Sequence, residues 1–143
     1  MFLGEYTYKI DDKKRMGVPP KFRQLLGKKA IITRGLDNCL FLYPMKTWET
    51  FAKKIAEMPS GQSDARGFAR IMLAGAMEVS IDNLGRILMP DYLKDYAQIK
   101  REVVVAGLYN RVEIWDKAIW ENYTKQTEKE VGNIAERLKE FGI

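Results

Sequence analysis

Apolar and polar positions alternate near the start of the chain: Tyr6, Tyr8 and Ile10 are separated by Thr7 and Lys9, the two-residue period of a half-buried strand. A polar turn, Asp11-Asp12-Lys13-Lys14-Arg15, leads to the apolar Met16 and Val18 and a stop at Pro19. Phe22, Leu25 and Leu26 then have the spacing of one or two helical turns. Ala30–Thr33 and Cys39–Tyr43 flank Gly35-Leu36-Asp37-Asn38 and predict a hairpin. Beyond it the period lengthens. Trp48, Phe51, Ile55 and Met58 recur at three and four residues, with Pro44 near the start of this helix and Pro59 at its stop. Ser63 is placed to cap a second helix whose face includes Phe68, Ile71 and Met72.

The pattern then repeats. A shift of 71 lays Ile10, Asp11, Arg15, Pro19 and Lys29 on Ile81, Asp82, Arg86, Pro90 and Lys100. One inserted residue later, Gly35, Leu36, Asn38, Trp48 and Glu49 fall on Gly107, Leu108, Asn110, Trp120 and Glu121. Ordinary residue usage would give roughly two or three identities over such a stretch, not ten. The chain is a tandem duplication. The second copy supplies strand residues Val79 and Ile81, the turn Asp82-Asn83-Leu84-Gly85-Arg86, and a hairpin of Val103–Val105 with Val112–Trp115. Asp116 is a plausible cap for a last helix, with apolar positions continuing to Val131, Ile134, Leu138 and Phe141 and a break expected at Gly132. The units are therefore 5–47 and 76–119 as β modules, with helical segments at 48–75 and 120–143.

Composition narrows the function more than the fold. The 143 residues contain one Cys and no His. That removes Ser-His-Asp and Cys-His catalysis, and sites built from His or several Cys, so neither an enzyme nor a cofactor is expected. No apolar run approaches the ~20 residues of a membrane span. The opening Met1–Glu5 lacks the pattern of a signal peptide and Cys39 has no partner, which points to the cytoplasm.

Net charge is +5, but its distribution says more. Residues 9–34 hold nine bases (Lys9, Lys13, Lys14, Arg15, Lys21, Arg23, Lys28, Lys29 and Arg34) against Asp11 and Asp12, leaving the rest of the chain slightly acidic. This is the footprint of a polyanion-binding face, or else of a merely solvated basic surface. Residues 80–105 balance four bases against four acids. Each D-x-x-x-R turn has two readings: a structural Asp–Arg pair, or an arginine fork offered to phosphate or to a guanine edge. The charge favours the second for Arg15 and the first, or a subunit contact, for Arg86.

Phe2-x-Gly4, Asp11-x-Lys13-x-Arg15-x-x-x-Pro19 with Phe22-Arg23, and Asp82-x-x-Gly85-Arg86-x-x-x-Pro90 closely resemble the MraZ family over essentially the whole chain. The family's first motif usually carries Gly where this sequence has Lys14. The resemblance implies an α+β fold, two tandem swapped-hairpin β units of the AbrB-like type packed as a pseudo-dimer, each followed by helices. It also implies a transcriptional repressor of the division and cell-wall gene cluster that includes its own gene. Such a protein would form a ring-shaped homo-oligomer, bind short direct repeats of double-stranded DNA, and be nucleoid-associated. Lys9, Lys13, Lys14 and Arg15, with Arg86 in support, are then the DNA-binding candidates, while Asp11, Pro19, Asp82 and Pro90 shape the motifs. The competing reading is an antitoxin-like protein-interaction module, which the same fold supports.

Overall fold

The computed structural model describes residues 1–143. Copy one runs β1 (Phe2–Lys9), β2 (Arg15–Gly17), α1 (Pro20–Leu26), β3 (Lys29–Arg34) and β4 (Leu40–Pro44). Two helices follow, α2 (Met45–Ala56) and α3 (Ser63–Ala74). Copy two repeats the plan as β5 (Met77–Ser80), β6 (Arg86–Leu88), α4 (Asp91–Tyr96), β7 (Glu102–Tyr109) and β8 (Val112–Asp116). The chain ends in α5 (Lys117–Arg137) and a 3-10 turn over Lys139–Phe141.

The first strand of each copy pairs with the hairpin of the other. β1 runs antiparallel to β7 along its whole length, from Phe2 opposite Tyr109 to Lys9 opposite Glu102. β5 runs antiparallel to β3, from Lys29 opposite Ser80 to Ile32 opposite Met77. β4 joins β8, so a single six-stranded sheet results, in the order β1-β7-β8-β4-β3-β5. The two short strands, β2 and β6, pair only with each other, Met16 opposite Ile87. These pairings are the swapped-hairpin pseudo-dimer. Gly107 makes the exchange possible at one point, because a Cβ there would lie 2.5 Å from the Phe2–Leu3 backbone.

Strand alternation divides the apolar residues between two faces of the sheet. Ile32, Leu40, Leu42, Val103, Val105, Val112 and Ile114 pack with Met16, Val18, Ile87 and Met89 from the ribbon and with Phe22, Leu26 and Leu93 from α1 and α4. Phe2 and Tyr6 meet Phe22 edge-on, with centroids 5.3 and 5.5 Å apart, closing that core at the β1 end. On the opposite face, Cys39, Phe41, Tyr43 and Trp115 pack with Ile55 and Met72 of α2 and α3, with Ile119 and Trp120 of α5 alongside. The result is three layers: ribbon with short helices, sheet, long helices.

Three local expectations need correction. Ser63 is the first residue of α3 rather than its cap, since Gln62 holds the cap position and no side chain bonds the first turn. Gly132 does not break α5, which continues to Arg137. A helix tolerates one glycine at about 1 kcal/mol, less than the cost of stopping and re-nucleating. Ile10 and its counterpart Ile81 lie just past the ends of β1 and β5, where their N–H groups donate to Arg101 O at 2.8 Å and Lys28 O at 2.9 Å. Asp116, by contrast, caps α5 as expected, accepting from Ile119 N–H at 3.3 Å. No helix is long and apolar enough to cross a membrane.

Because β1 and β2 each find a partner strand only in copy two, residues 1–71 alone should not fold as a monomer. Circular dichroism and light scattering on that fragment should show a dimer or a largely unfolded chain, and added residues 72–143 should restore the native spectrum.

Candidate nucleic-acid interface

The two D-x-x-x-R turns are built alike. In the first, Asp11 Oδ1 accepts from Lys13 N–H and Arg15 N–H, both at 2.9 Å, and Oδ2 accepts from Arg15 Nε at 2.7 Å. In the second, Asp82 Oδ1 accepts from Leu84 N–H at 3.0 Å and Arg86 N–H at 2.8 Å, and Oδ2 from Arg86 Nε at 2.9 Å. Aspartate suits the position because a short carboxylate can close the turn and still reach the returning limb. The backbone N–H of the arginine, foremost, together with its side chain holds each carboxyl below the usual aspartate range.

The carboxylate engages Nε and leaves the two terminal nitrogens of each guanidinium open. The pair is structural, and it fixes the direction of the guanidinium. Met16 and Ile87 point into the core, so alternation puts Arg15 and Arg86 on the opposite, outward face of the ribbon. Arg15 lies opposite Leu88 and Arg86 opposite Gly17, a diagonal pair whose Cα atoms are about 7–8 Å apart. The arginine side chains are 33% and 29% exposed, with the exposed Leu88 between them. The two motifs share one surface.

A family match made twice along the chain agrees with the duplication. The family described as "MraZ protein, putative antitoxin-like" matches residues 1–71 and again residues 72–142. The chain belongs to the MraZ family. It is 48% identical to "Transcriptional regulator MraZ" of Natranaerobius thermophilus over 143 residues, the whole of both chains. Proteins of the same name from Moorella thermoacetica and Caldanaerobacter subterraneus are 46% and 45% identical, again over the whole of both chains.

In this MraZ chain the strand exchange redistributes the charge that the sequence window grouped together. Ile81 N–H donates to Lys28 O at 2.9 Å and Lys29 pairs with Ser80, so the later bases of the first window lie beside the second turn. Arg23 lies there too: its Nε donates to Val18 O at 2.8 Å and its guanidinium rests against Gly85. Conversely, Lys94, Lys100 and Arg101 of copy two sit around the first turn. The division into a charged turn one and a neutral turn two is thus a property of the linear sequence, not of the surface. The sequence reading overlooked Lys94, Lys100 and Arg101, and the signal that finds them is the exchange of partners between copies. No group of three or more acidic, Cys or His side chains is placed to hold a metal ion.

Lys14 takes the left-handed conformation at φ 61°, as Gly85 does at φ 75°. Each carbonyl accepts from the other copy, Lys14 O from Met89 N–H at 2.8 Å and Gly85 O from Val18 N–H at 2.9 Å. The turn accepts lysine because its side chain runs outward to an ion pair with Asp91, whereas a Cβ at Gly85 would lie 1.9 Å from the Arg23 guanidinium carbon. Lys14 is accordingly partnered, and Lys13 is the free base of the loop.

Two measurements check this geometry. Gly85→Ala should destabilise by about 2 kcal/mol in urea unfolding, from backbone strain plus displacement of Arg23, while Lys14→Gly should change stability by less than about 1 kcal/mol. Carboxyl carbon-13 titration should place Asp11 and Asp82 below ordinary aspartates. A lowered folded pKa means that each turn's contribution is complete above the normal aspartate range and is lost as pH falls through the folded value.

Proposed function

We propose that the protein is a sequence-specific DNA-binding transcriptional regulator that uses the outward face of the β2–β6 ribbon. The observation that carries this reading is the pair of pre-aimed arginines on one surface, each held through Nε with its terminal nitrogens free. A two-stranded ribbon fits the major groove, and an arginine fork matches the acceptors of guanine. Lys9 and Lys13 would neutralise phosphate and set the register, with Lys14 held back by Asp91. Arg86 joins Arg15 as a DNA contact, since the same Asp–Arg geometry and the same face serve both. The names of the full-length relatives support regulation rather than catalysis.

In its finer form the proposal is a repressor of the division and cell-wall gene cluster containing its own gene, working in the cytoplasm at the nucleoid. One ribbon buries little area, so affinity would come from several ribbons in a ring-shaped homo-oligomer meeting short direct repeats. The apolar end of the chain supports assembly: Val131, Phe141 and Ile143 are exposed. The antitoxin-like alternative would use a chain end suited to wrapping a partner, and the continuous amphipathic α5 does not favour it.

Gel shifts on the chain's own upstream duplex test the proposal. Arg15→Ala and Arg86→Ala should each weaken binding by about 1–3 kcal/mol per bound subunit relative to an unrelated duplex, and Arg15→Lys should not restore the preference. Unchanged binding by both alanine variants, still folded, would exclude the ribbon face as the reader.

A further inference from the structure

A hollow of about 250 Å³ opens beside the first turn, and its basic wall comes mainly from the second copy: Lys94, Lys100 and Arg101 face Ile10, Asp12 and Lys14 of the first. None of the three copy-two bases takes part in an ion pair, while Lys14 is bound to Asp91. Asp11 also lines the hollow, but its carboxylate is already engaged by Arg15 and the Lys13 N–H. Asp12 is the one carboxylate of the wall without a partner, so positive charge prevails there.

The backbone carrying these bases is pinned on both sides. Lys100 N–H donates to the buried Asp116 Oδ1 at 3.1 Å, and Arg101 O accepts from Ile10 N–H at 2.8 Å. Asp116 also caps α5, so one carboxylate fixes the Lys100–Arg101 segment against the rest of the molecule. At the second turn the corresponding bases are spent differently. Arg23 is folded under Gly85, and Lys29 pairs with Glu78 at 3.3 Å, leaving Lys28 alone uncommitted.

We propose that Lys94, Lys100 and Arg101 form a phosphate-backbone clamp, in which copy two anchors the DNA strand flanking the groove entered by the first turn of copy one. This rests on the DNA-binding reading and adds to it a division of labour. The clamp binds without regard to sequence, and it makes the first turn the better anchored of two otherwise equivalent arms.

The test is the salt dependence of binding to the upstream duplex and to an unrelated duplex. The full-length variant Lys94→Gln, Lys100→Gln, Arg101→Gln is compared with wild type and with Lys46→Gln, Lys53→Gln, Lys54→Gln on α2, across the sheet from the ribbon. Each lost phosphate contact should lower the log K against log salt slope by about 0.9, so the clamp variant should fall by about two to three per bound protomer. Both duplexes should weaken by the same factor, and the α2 variant should keep the wild-type slope. Single variants at Lys94 and Arg101, each expected to lose about one unit, stand in if the triple fails to fold. If wild type binds with a steep slope and the clamp variants keep it, the clamp is excluded while the regulator reading stands. An equal fall in the α2 variant, or a loss confined to the upstream duplex, would also overturn it. Wild type that binds neither duplex would remove both readings.

Discussion

The exchange of first strands between the copies, β1 onto β7 and β5 onto β3, is the constraint on which the other features depend. Once those strands are traded, β2 and β6 have no partner but each other, and they must close over the core between the two hairpins. That closure buries Met16 and Ile87 and turns Arg15 and Arg86 outward together. Neither copy could do this alone, because a ribbon made by one copy would lack its opposite strand. The duplication therefore supplies a two-fold outward surface within one chain, with the short turn-to-strand segments held by reciprocal bonds to Lys14 O and Gly85 O.

Much of this was legible in the order of residues. The period-two runs and the proline stops marked strands, and the repeated Asp-x-x-x-Arg spacing announced a turn whose carboxylate reaches its arginine. The Asp116 cap was visible because a carboxylate just ahead of an amphipathic run has one obvious use. The helix ends were less legible: Ser63 and Gly132 carry the right residue types, but tertiary packing and the cost of interrupting a helix decide such positions. The partners of strands were not legible from alternation at all, since period two shows that a face is buried but not against what.

Charge was the feature most changed by folding. Read along the chain, the bases of residues 9–34 belong to one turn; in space they are divided between two, and copy two returns its own bases to the first. The Lys14 substitution likewise has a different meaning in three dimensions. It adds a base to the loop, yet the added ammonium is partnered by Asp91, while the left-handed turn is kept because the side chain leaves the surface rather than entering it. At Gly85 no such exit exists, because Arg23 fills the space.

The most direct measurement is a structure of the protein bound to its own upstream duplex. Strand exchange predicts Arg15 and Arg86 of one chain in the same groove, each still bonded through Nε to its aspartate while the terminal nitrogens meet the DNA. A complex in which the β2–β6 ribbon faces away from the duplex, or in which the Asp11–Arg15 and Asp82–Arg86 pairs have separated to make the contact, would contradict it.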